Sequence, residues 1–416
     1  MNNNNNQKIK STRLRKAAAR RVGIDARFYG PIGKGLGRYT QEIVDNIIKI
    51  DDKNEYIIFL RKDNFDEFIA DSDKVKKVLA DARWYNLAEQ IKMPFLIWRE
   101  RIDLMHFPHF NVPLLCPAKF IVTIHDLILT KFPTTRATTL GPFLYKIKNW
   151  AYKIVIWLAV KRARKIIAVS QFTKDDIIKQ FKVKENKIIV TYEGAFQDVR
   201  HPIGRRTSLN PIGRRTSLNP DDKKVLLRYN INKPFLLYVG NAYPHKNLEG
   251  LIKNFFKLHK KQINLSLVLV GKEDYFYKRV KAYAKELGLW QDNQNNTPVI
   301  FSGFAPDADL NVLYKNALAY VFPSFYEGFG LPPLEAMANG CPVVSSNKAS
   351  MPEILGNAAI YFDPDNEQEM QKQIERIIKD EELRKELVEK GYEQVKKYSW
   401  EECAMRTREV YESVMK

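Results

Sequence analysis

Two glutamates that flank a glycine-rich loop carry the strongest chemical signal in the sequence. Glu327 precedes the run Gly-Phe-Gly-Leu, and Glu335 follows with seven residues between the two acids. Pro332 and Pro333 suit the first turn of a helix, so Glu335 is expected near that turn. The loop amides can donate to hydroxyls or to a phosphate, and the carboxylates can accept hydrogen bonds from sugar hydroxyls. The alternatives are dipole compensation by Glu335 and a plain surface acid at Glu327.

A second glycine-rich segment runs from Gly30 to Tyr39, between a predicted strand and a predicted helix. Glycines let the backbone approach a ligand closely, and a helix N-terminus offers free N–H groups to anions. The spacing does not match the G-x-G-x-x-G of dinucleotide-binding dehydrogenases. The segment favours approach of a phosphate over a plain tight turn.

A lysine follows a third predicted strand end, in the run from Gly240 to Asn247. Asn247 is predicted to cap the next helix, which places Lys246 just before a helix N-terminus. A cation there opposes the helix dipole, and a bound diphosphate would reverse the sign of that interaction. The alternative for Lys246 is an ordinary solvated lysine.

Three histidines are candidate site residues. His125 follows a predicted strand, and the residues alone favour a satisfied buried imidazole over a functional one. His106 and His109 have the spacing of a metal-binding pair. No third ligand is apparent, so an ordinary loop pair is favoured.

Two Asp-x-Asp matches, at 307–309 and 363–365, do not follow predicted strands. The first suits a helix start, where acids cap the helix and meet its dipole. The second suits a turn. We therefore assign no metal site and expect no metal or other cofactor.

The elements that must position these residues alternate between short apolar runs and amphipathic helices. This alternation predicts an α/β protein with two parallel sheets, each covered by helices, and ligand binding at the carboxyl ends of the strands. Strands are predicted at 22–26, 56–60, 103–107, 120–125, 165–170, 187–192, 235–240, 265–271, 299–303, 318–323 and 342–345. Helices are predicted at 36–50, 143–164, 174–181, 248–260, 275–287, 310–316 and 332–338, followed by a helical tail over 367–416.

The net charge of +20 is concentrated in a few segments. One is the low-complexity N-terminus, another is a nine-residue tandem repeat, PIGRRTSLN, over 202–219, and a third is the 127–174 region. An anionic membrane or a nucleic acid would suit such surfaces. The basic tail and the repeat lack aromatic residues and no nucleic-acid module is recognisable, so no nucleic-acid partner is expected.

The basic helix predicted over 143–165 contains an apolar stretch, 150–160, that is too short to span a bilayer. It could instead lie on an anionic membrane, or pack in the core with a solvated basic rim. Cys116, Cys341 and Cys403 are far apart and are read as reduced thiols. With a polar, basic N-terminus and no apolar stretch behind it, we expect no secretory signal and a cytoplasmic protein.

The Glu327 to Glu335 motif, together with the two alternating halves, resembles the retaining GT-B glycosyltransferases of family four (glycosyl transferases group 1). The resemblance covers roughly residues 22 to 400. The segments Ile32-Gly-Lys-Gly-Leu-Gly-Arg-Tyr, Thr123-Ile-His-Asp-Leu and His245-Lys-Asn-Leu are similar to the branch of bacterial O-antigen mannosyltransferases.

This resemblance implies catalytic roles for three residues. His125 would contact the transferred sugar, Lys246 would neutralise the diphosphate leaving group, and Glu327 would orient the donor sugar. Glu335 would hold the ribose of the donor nucleotide.

Further donor-binding residues are implied in the same way. Gly35 and Gly37 would approach the donor phosphates or the acceptor. Asn241 stands where many relatives have an arginine, so Lys272 or a residue of the first half would have to supply the missing cation. The backbone amides expected to assist Glu327 are those of Phe329, Gly330 and Leu331.

The domain organisation expected from these observations has five parts. Residues 1–20 form a disordered basic tail, 21–200 an N-terminal Rossmann-like acceptor domain, and 201–232 a linker. Residues 233–398 form a C-terminal Rossmann-like donor-binding domain, and the 399–416 helix packs back on the N-terminal domain. The two sheets are expected to face each other across a cleft.

The implied function is transfer of a hexose, with mannose as the leading candidate. The sugar would move with retention from a nucleotide-diphosphate sugar to a saccharide or lipid-linked saccharide, in cell-surface polysaccharide synthesis. The enzyme would work in the cytoplasm, peripherally on the inner face of the plasma membrane. The alternatives are a nucleotide-sugar-binding protein without catalysis and, with support from charge alone, a nucleic-acid-binding protein.

Overall fold

The structure is a computed structural model. It describes residues 19–30, 34–70, 72–132, 142–195, 219–232, 234–261, 264–292 and 297–416, with the backbone alone at 34 and 142–148. The basic tail up to residue 18 and the tandem repeat up to residue 218 lie outside the described residues.

The first lobe is built on a seven-stranded parallel sheet in the order β3-β2-β1-β4-β5-β6-β7. The strands are β1 Arg21–Asp25, β2 Glu55–Leu60, β3 Val75–Leu79, β4 Leu104–Phe107, β5 Lys119–Ile124, β6 Lys165–Ala168 and β7 Ile188–Val190. The helices are α1 Lys34–Ile50, α2 Leu87–Arg99, α3 Ile128–Lys131, α4 Pro142–Arg162 and α5 Gln171–Phe181.

The second lobe is built on a six-stranded parallel sheet in the order β10-β9-β8-β11-β12-β13. The strands are β8 Phe235–Val239, β9 Ser266–Val270, β10 Val299–Gly303, β11 Ala319–Phe322, β12 Val343–Ser346 and β13 Ala359–Phe362. The helices are α6 Pro220–Arg228, α7 Leu248–Lys260, α8 Tyr275–Glu286, α9 Asp307–Asn316, α10 Leu331–Ala338, α11 Met351–Leu355, α12 Glu367–Lys379 and α13 Glu381–Val395. The predicted α/β class with two parallel sheets is confirmed.

Each face of the first sheet is covered by a different set of helices. α1 lies on one face and buries Tyr39, Ile43 and Ile47, as its 3.6-residue period predicts. The last helix of the chain, α14 Trp400–Met415, packs against α1 on that same face. The helices α2, α4 and α5 bury their inner sides on the opposite face.

Several elements were absent from the sequence-based prediction. Strand β3 was missed because it is an edge strand that buries a single residue fully, Val78. Helix α2 contains Pro94 and has apolar residues on both sides, which hides its period. Strand β13 was also missed.

The linker prediction needs a correction. Residues 220–228, assigned to the linker from sequence, form α6, which begins at an asparagine cap and packs against α9. The negative charges of two aspartates in its first turn interact favourably with the helix dipole. The remaining domain boundaries stay predictions.

Among the described residues, no helix has both the length and the apolar content needed to cross a bilayer.

His106 fixes α14 to the centre of the first sheet. It lies in β4, inside the strand predicted over 103–107 and not in the loop favoured for the His106 and His109 pair, and it is fully buried. Its Nδ1 is 2.7 Å from the Tyr411 hydroxyl of α14, and its Nε2 is 2.9 Å from the Thr123 hydroxyl. Burial, helped by the nearby charge of His125, lowers the pKa of His106 to about 3, so the ring is neutral.

Tyr411→Phe should therefore destabilise the protein. The substitution leaves one buried ring nitrogen of His106 unpaired, which costs about 1–3 kcal/mol. Met405→Ala is the control, because Met405 lies on the same helix and is 40% exposed. Urea unfolding followed by circular dichroism measures both. Equal midpoints for the two variants would show that this contact does not hold α14 in place.

Candidate active site

A cavity of about 530 Å³ lies between the two lobes. Its wall is formed by loops that follow β5 and β7 in the first lobe and β8, β9 and β11 in the second. Ligands of parallel α/β sheets bind at this edge. The charged and polar side chains of the wall belong to His109, His125, Asp126, Glu193, Asn241, Lys246, Lys272 and Glu327.

Lys246 and Glu327 form an ion pair inside this cavity. The Lys246 Nζ donates to Glu327 Oε1 at 2.6 Å, and both side chains are almost completely buried. The lysine ends a short 3₁₀ turn after β8, and the glutamate follows β11. The two residues are 81 positions apart in sequence, yet they share one site.

Asn247 occupies the position before α7, but its side chain does not cap the helix. Its backbone is left-handed, with φ of +57°. Its side-chain nitrogen, Nδ2, donates to the Pro364 carbonyl. The predicted side-chain cap is therefore wrong. The residue serves instead to turn the chain between Lys246 and the helix.

The loop that carries Glu327 is fixed by hydroxyl groups from both lobes. Ser170 and Thr173 of the first lobe donate to the Gly328 carbonyl, at 2.6 and 3.3 Å. Ser350 of the second lobe donates to the carbonyls of Glu327 and Phe329, at 3.0 and 3.2 Å. The backbone of the loop is therefore anchored to both lobes.

At Gly328 the backbone of the second lobe lies directly against the backbone of the first lobe. A Cβ atom at this position would lie 1.7 Å from the carbonyl oxygen of His125. A side chain of any size is therefore incompatible with the observed arrangement of the lobes.

The amides expected to face a phosphate lie at the start of α10. Phe329, Gly330 and Leu331 all line the cavity, and Gly330 caps the helix with φ of +103°. Pro332 and Pro333 occupy the first turn, as predicted, and supply no N–H group. Donors at this helix end can therefore come only from the loop, from Leu331 and from the end of the first turn.

Glu335 lies one turn further along α10, outside the cavity wall. Its Oε1 accepts from Arg38 of α1 at 2.6 Å, and its Oε2 accepts from the Tyr314 hydroxyl at 3.3 Å. Burial raises the pKa of Glu335, although the Arg38 charge and the Tyr314 hydrogen bond oppose the shift. Sequence reasoning missed Arg38, which follows Gly37 directly but pairs across 297 positions.

His125 lines the cavity with both ring nitrogens already engaged. Nδ1 is 2.8 Å from Glu193 Oε1, and Nε2 is 2.9 Å from the Pro108 carbonyl. Burial alone would lower the pKa of His125, but the hydrogen bond and charge of Glu193 outweigh it and raise the pKa. Because both partners are oxygen acceptors, the geometry suits a ring that donates from both nitrogens and carries positive charge.

Two acids of the wall were not assigned from the sequence. Glu193 orients His125, and Asp126 accepts from the Ile128 amide at 2.9 Å. Burial raises the pKa of Asp126, and the charge of Glu327 adds to this shift. The motif around His125 includes Asp126, but Glu193 follows the short strand β7 and has no local signal.

The two candidate glycines of the first lobe have different surroundings. Gly35 lines the cavity, and a Cβ atom there would meet no protein atom within 4 Å. A Cβ atom on Gly37 would lie 2.1 Å from the Gly30 carbonyl oxygen and 2.6 Å from that of Phe28. Gly37 therefore lets α1 pack on the turn after β1, and its expected role in ligand approach stays a prediction.

Asn241 and Lys272 lie together in the second-lobe part of the wall. The Asn241 side-chain oxygen accepts from the Tyr243 amide at 3.3 Å, and its carbonyl accepts from the Tyr238 hydroxyl at 2.7 Å. The second lobe thus contributes two lysines, Lys246 and Lys272, to the cavity.

Within the described ranges, no three His, Cys, Asp or Glu side chains converge in a way that could hold a metal ion. The aspartates of the first Asp-x-Asp match lie in the first turn of α9, where Asp309 accepts from Arg228 and Tyr229. Asp363 of the second match accepts from the Asp365 amide in a turn and pairs with Lys348.

Gly328→Ala should destabilise the closed arrangement of the lobes. The added methyl group overlaps a backbone carbonyl, and overpacking of this kind costs about 1–3 kcal/mol. Gly35→Ala is the matched control, because its methyl group meets no protein atom and lies in a helix. Thermal unfolding should show a lower midpoint for the first variant alone, and small-angle scattering should show a larger radius of gyration. Identical behaviour of the two variants would contradict the proposed close contact.

Comparison with known proteins covers both lobes. The family model Glycosyltransferase Family 4 matches residues 33–195, and the model Glycosyl transferases group 1 matches residues 221–394. O-antigen chain mannosyltransferase B of Escherichia coli is 27% identical over 401 residues, covering 91% of this chain and 95% of that protein. O-antigen chain mannosyltransferase RfbU of Salmonella typhimurium is 26% identical, covering 84% and 88%.

A solved structure has the same architecture. Sucrose-phosphate synthase from Thermosynechococcus elongatus superposes with a TM-score of 0.72 at 18% identity, covering 95% of this chain and 99% of that chain. This likeness confirms the predicted GT-B fold. Since the two family models match one lobe each and the relatives extend over both, this chain belongs to the family 4, group 1 glycosyltransferases.

Proposed function

We propose that this glycosyltransferase moves mannose from a nucleotide-diphosphate sugar to a saccharide acceptor, with retention, in the synthesis of a cell-surface polysaccharide. The preference for mannose is supported by its relatives in Escherichia coli and Salmonella typhimurium, which are named as O-antigen mannosyltransferases. The observation that carries the proposal is the Lys246–Glu327 pair, which lies in one interlobe cavity beside the N-terminus of α10.

The chemical demand of the transfer is stabilisation of the departing diphosphate. In our proposal, the Gly330 and Leu331 amides and the Lys246 ammonium face this group. Fixed donors in a site that excludes water stabilise developing charge more strongly than water does. Lys272 lines the same wall and supplies the cation that Asn241 lacks.

Glu327 has a second role in this proposal. One of its oxygens accepts from Lys246, and a carboxylate has about four lone-pair sites, so it can also accept from donor-sugar hydroxyls. The lysine would then lie between the glutamate and the diphosphate. This arrangement links the orientation of the sugar to neutralisation of its leaving group.

The first lobe contributes charge from the opposite side. The His125 imidazolium lines the cavity while it is held by Glu193 and by the Pro108 carbonyl. Because both ring nitrogens are engaged, we propose that His125 stabilises negative charge near the transferred sugar without moving a proton. These cations belong to the protein, and we propose that transfer needs no metal ion, so activity should survive EDTA.

Glu335 is proposed to accept hydrogen bonds from the donor ribose. Arg38 and Tyr314 each donate one hydrogen bond to this carboxylate, which fixes its orientation. A carboxylate has about four lone-pair sites, so the remaining sites can accept from ribose hydroxyls. Arg38 is thus a positioning residue that connects α1 to the nucleotide.

The acceptor is proposed to be a lipid-linked saccharide at the inner face of the plasma membrane, with the enzyme in the cytoplasm. The experiment that tests the transfer itself is a donor panel of UDP-, GDP- and ADP-linked mannose and glucose. We expect release of the nucleoside diphosphate from a mannose-bearing donor, with retention visible by NMR when an acceptor is added. Tight donor binding with no turnover of any donor would favour the alternative of a binding protein without catalysis.

Replacement of Glu335 should weaken binding of the nucleotide part of the donor. We expect Glu335→Ala to raise the dissociation constant about tenfold, for the nucleotide sugar and for the free nucleoside diphosphate alike, since a hydrogen bond to a charged group contributes about 1.5–3 kcal/mol. Isothermal titration calorimetry measures both ligands.

Two further variants sharpen this measurement. Glu327→Gln should weaken binding of the nucleotide sugar but not of the nucleoside diphosphate, because its proposed contact is to the sugar. Glu386→Ala, an exposed acid on α13, should change neither. Unchanged nucleoside diphosphate binding by Glu335→Ala would remove the ribose assignment.

A further inference from the structure

An unpartnered apolar row runs along the outer side of α2. Leu87, Ile91, Phe95 and Trp98 are spaced by four, four and three residues, and they are 83, 74, 55 and 68% exposed. This spacing places all four on one stripe of the helix. The opposite side of α2 is buried in the core of the first lobe. An exposed apolar stripe of this size indicates an interaction surface.

The row continues onto α4, which covers the same face of the sheet. Trp150 and Trp157 project from the outer side of α4 and are 68 and 49% exposed. The loop at Leu114 joins the two helices, because its amide donates hydrogen to Gln90 of α2 and its carbonyl accepts from Arg162 of α4. The surface therefore extends beyond the basic helix identified from sequence and includes a second helix.

The exposed charged side chains described on α2 and α4 are basic. They include Lys92 and Arg99 of α2, the latter paired with Glu100 at the end of the helix, and Lys153 and Lys161 of α4. The α4 sequence contains no acid. The acid within α2, Glu89, is fully buried against Arg27.

A basic hollow of about 430 Å³ lies at the C-terminal end of α4. Its cations are Lys161, Arg164, Lys165, Lys182, Lys184 and Lys187. Burial lowers the pKa of Lys187, and the charges of Lys161 and Arg164 lower it further. The neighbouring acid, Glu185, is paired with Lys174 outside the lining of the hollow.

We propose that the outer face of α2 and α4 docks on an anionic lipid bilayer. The apolar row and the two tryptophans enter the interfacial region, where aromatic rings are favoured, and the lysines meet lipid phosphates. The basic hollow takes phosphate groups of the same bilayer. A second copy of this chain is a poorer occupant, because an isologous dimer would bring two cationic faces together.

Docking on this face places the cavity close to the membrane. The N-terminal end of α2 lies at the carboxyl edge of the sheet, and Tyr85, just before α2, packs against His109 of the cavity wall. A lipid-linked acceptor would then reach the cavity from the bilayer. This consequence rests on the proposed function, whereas docking itself does not.

Vesicle co-sedimentation of the full chain tests the proposal without any donor or turnover. We expect the protein to pellet with phosphatidylglycerol–phosphatidylcholine vesicles and not with phosphatidylcholine alone. Ile91→Ser/Phe95→Ser should weaken binding about tenfold, since two apolar side chains leave the interface. Lys184→Gln in the hollow should weaken binding to the anionic vesicles and reduce its sensitivity to salt.

The matched control is Ile69→Ser/Tyr275→Ser, which removes two side chains of similar exposure, 74 and 51%, from other surfaces. The basic tail is present in every variant, so it cannot account for a difference between them. Equal pelleting of the two double variants, or binding that does not depend on anionic lipid, would overturn the proposal. A dimer in solution that Ile91→Ser/Phe95→Ser dissociates, without vesicle binding, would assign this face to a second copy.

Discussion

The arrangement of the whole molecule depends on the approach of one loop to the opposite lobe. Gly328 lies against the His125 carbonyl. A first-lobe hydroxyl donates to the carbonyl of Gly328 itself, and a second-lobe hydroxyl donates to the carbonyls of the residues on either side. The same contact therefore closes the cavity, fixes Glu327 and sets the distance between the first-lobe histidine and the second-lobe lysine. The close fit at this glycine thus helps to fix the positions of the charged side chains that a ligand would meet.

The electrostatics of the site follow from that closure. Two ion pairs line the cavity, Lys246 with Glu327 and His125 with Glu193, and a third, Arg38 with Glu335, joins the two lobes outside its wall. Each pair is largely removed from water, where an unpaired charge would be costly, so the paired side chains hold one another in place. An anionic ligand then binds to side chains whose positions are already fixed by these ion pairs. It does not have to recruit mobile side chains, which lowers the entropy cost of its binding.

Sequence reasoning recovered most strands because the central ones are short runs buried on both faces, as in β9, where all five residues are buried. It failed at the edge strand β3, whose lysines resemble a loop, and at α6, which lies beside the tandem repeat. The Glu327 to Glu335 motif is local and was readable as a unit. The pairings of Arg38 and Glu193 were not, because they join residues 297 and 68 positions apart. The first depends on how the lobes meet, and the second on how the loops after β5 and β7 meet within the first lobe. The packing contact of Gly37 was not predicted, since a packing glycine and a ligand-facing glycine look alike in sequence.

After it has formed the second lobe, the chain returns to the first lobe, and this return ties the two lobes together. The segments that pass between the lobes touch one another, with the Ala195 amide donating to the Tyr398 carbonyl and Gly194 lying against Trp400. The C-terminal helix then covers the apolar side of α1. The first lobe is thus a discontinuous unit, completed by the last residues of the chain. During synthesis it can acquire its full core only after the second lobe has emerged, so the order of translation is not the order in which the lobes are completed.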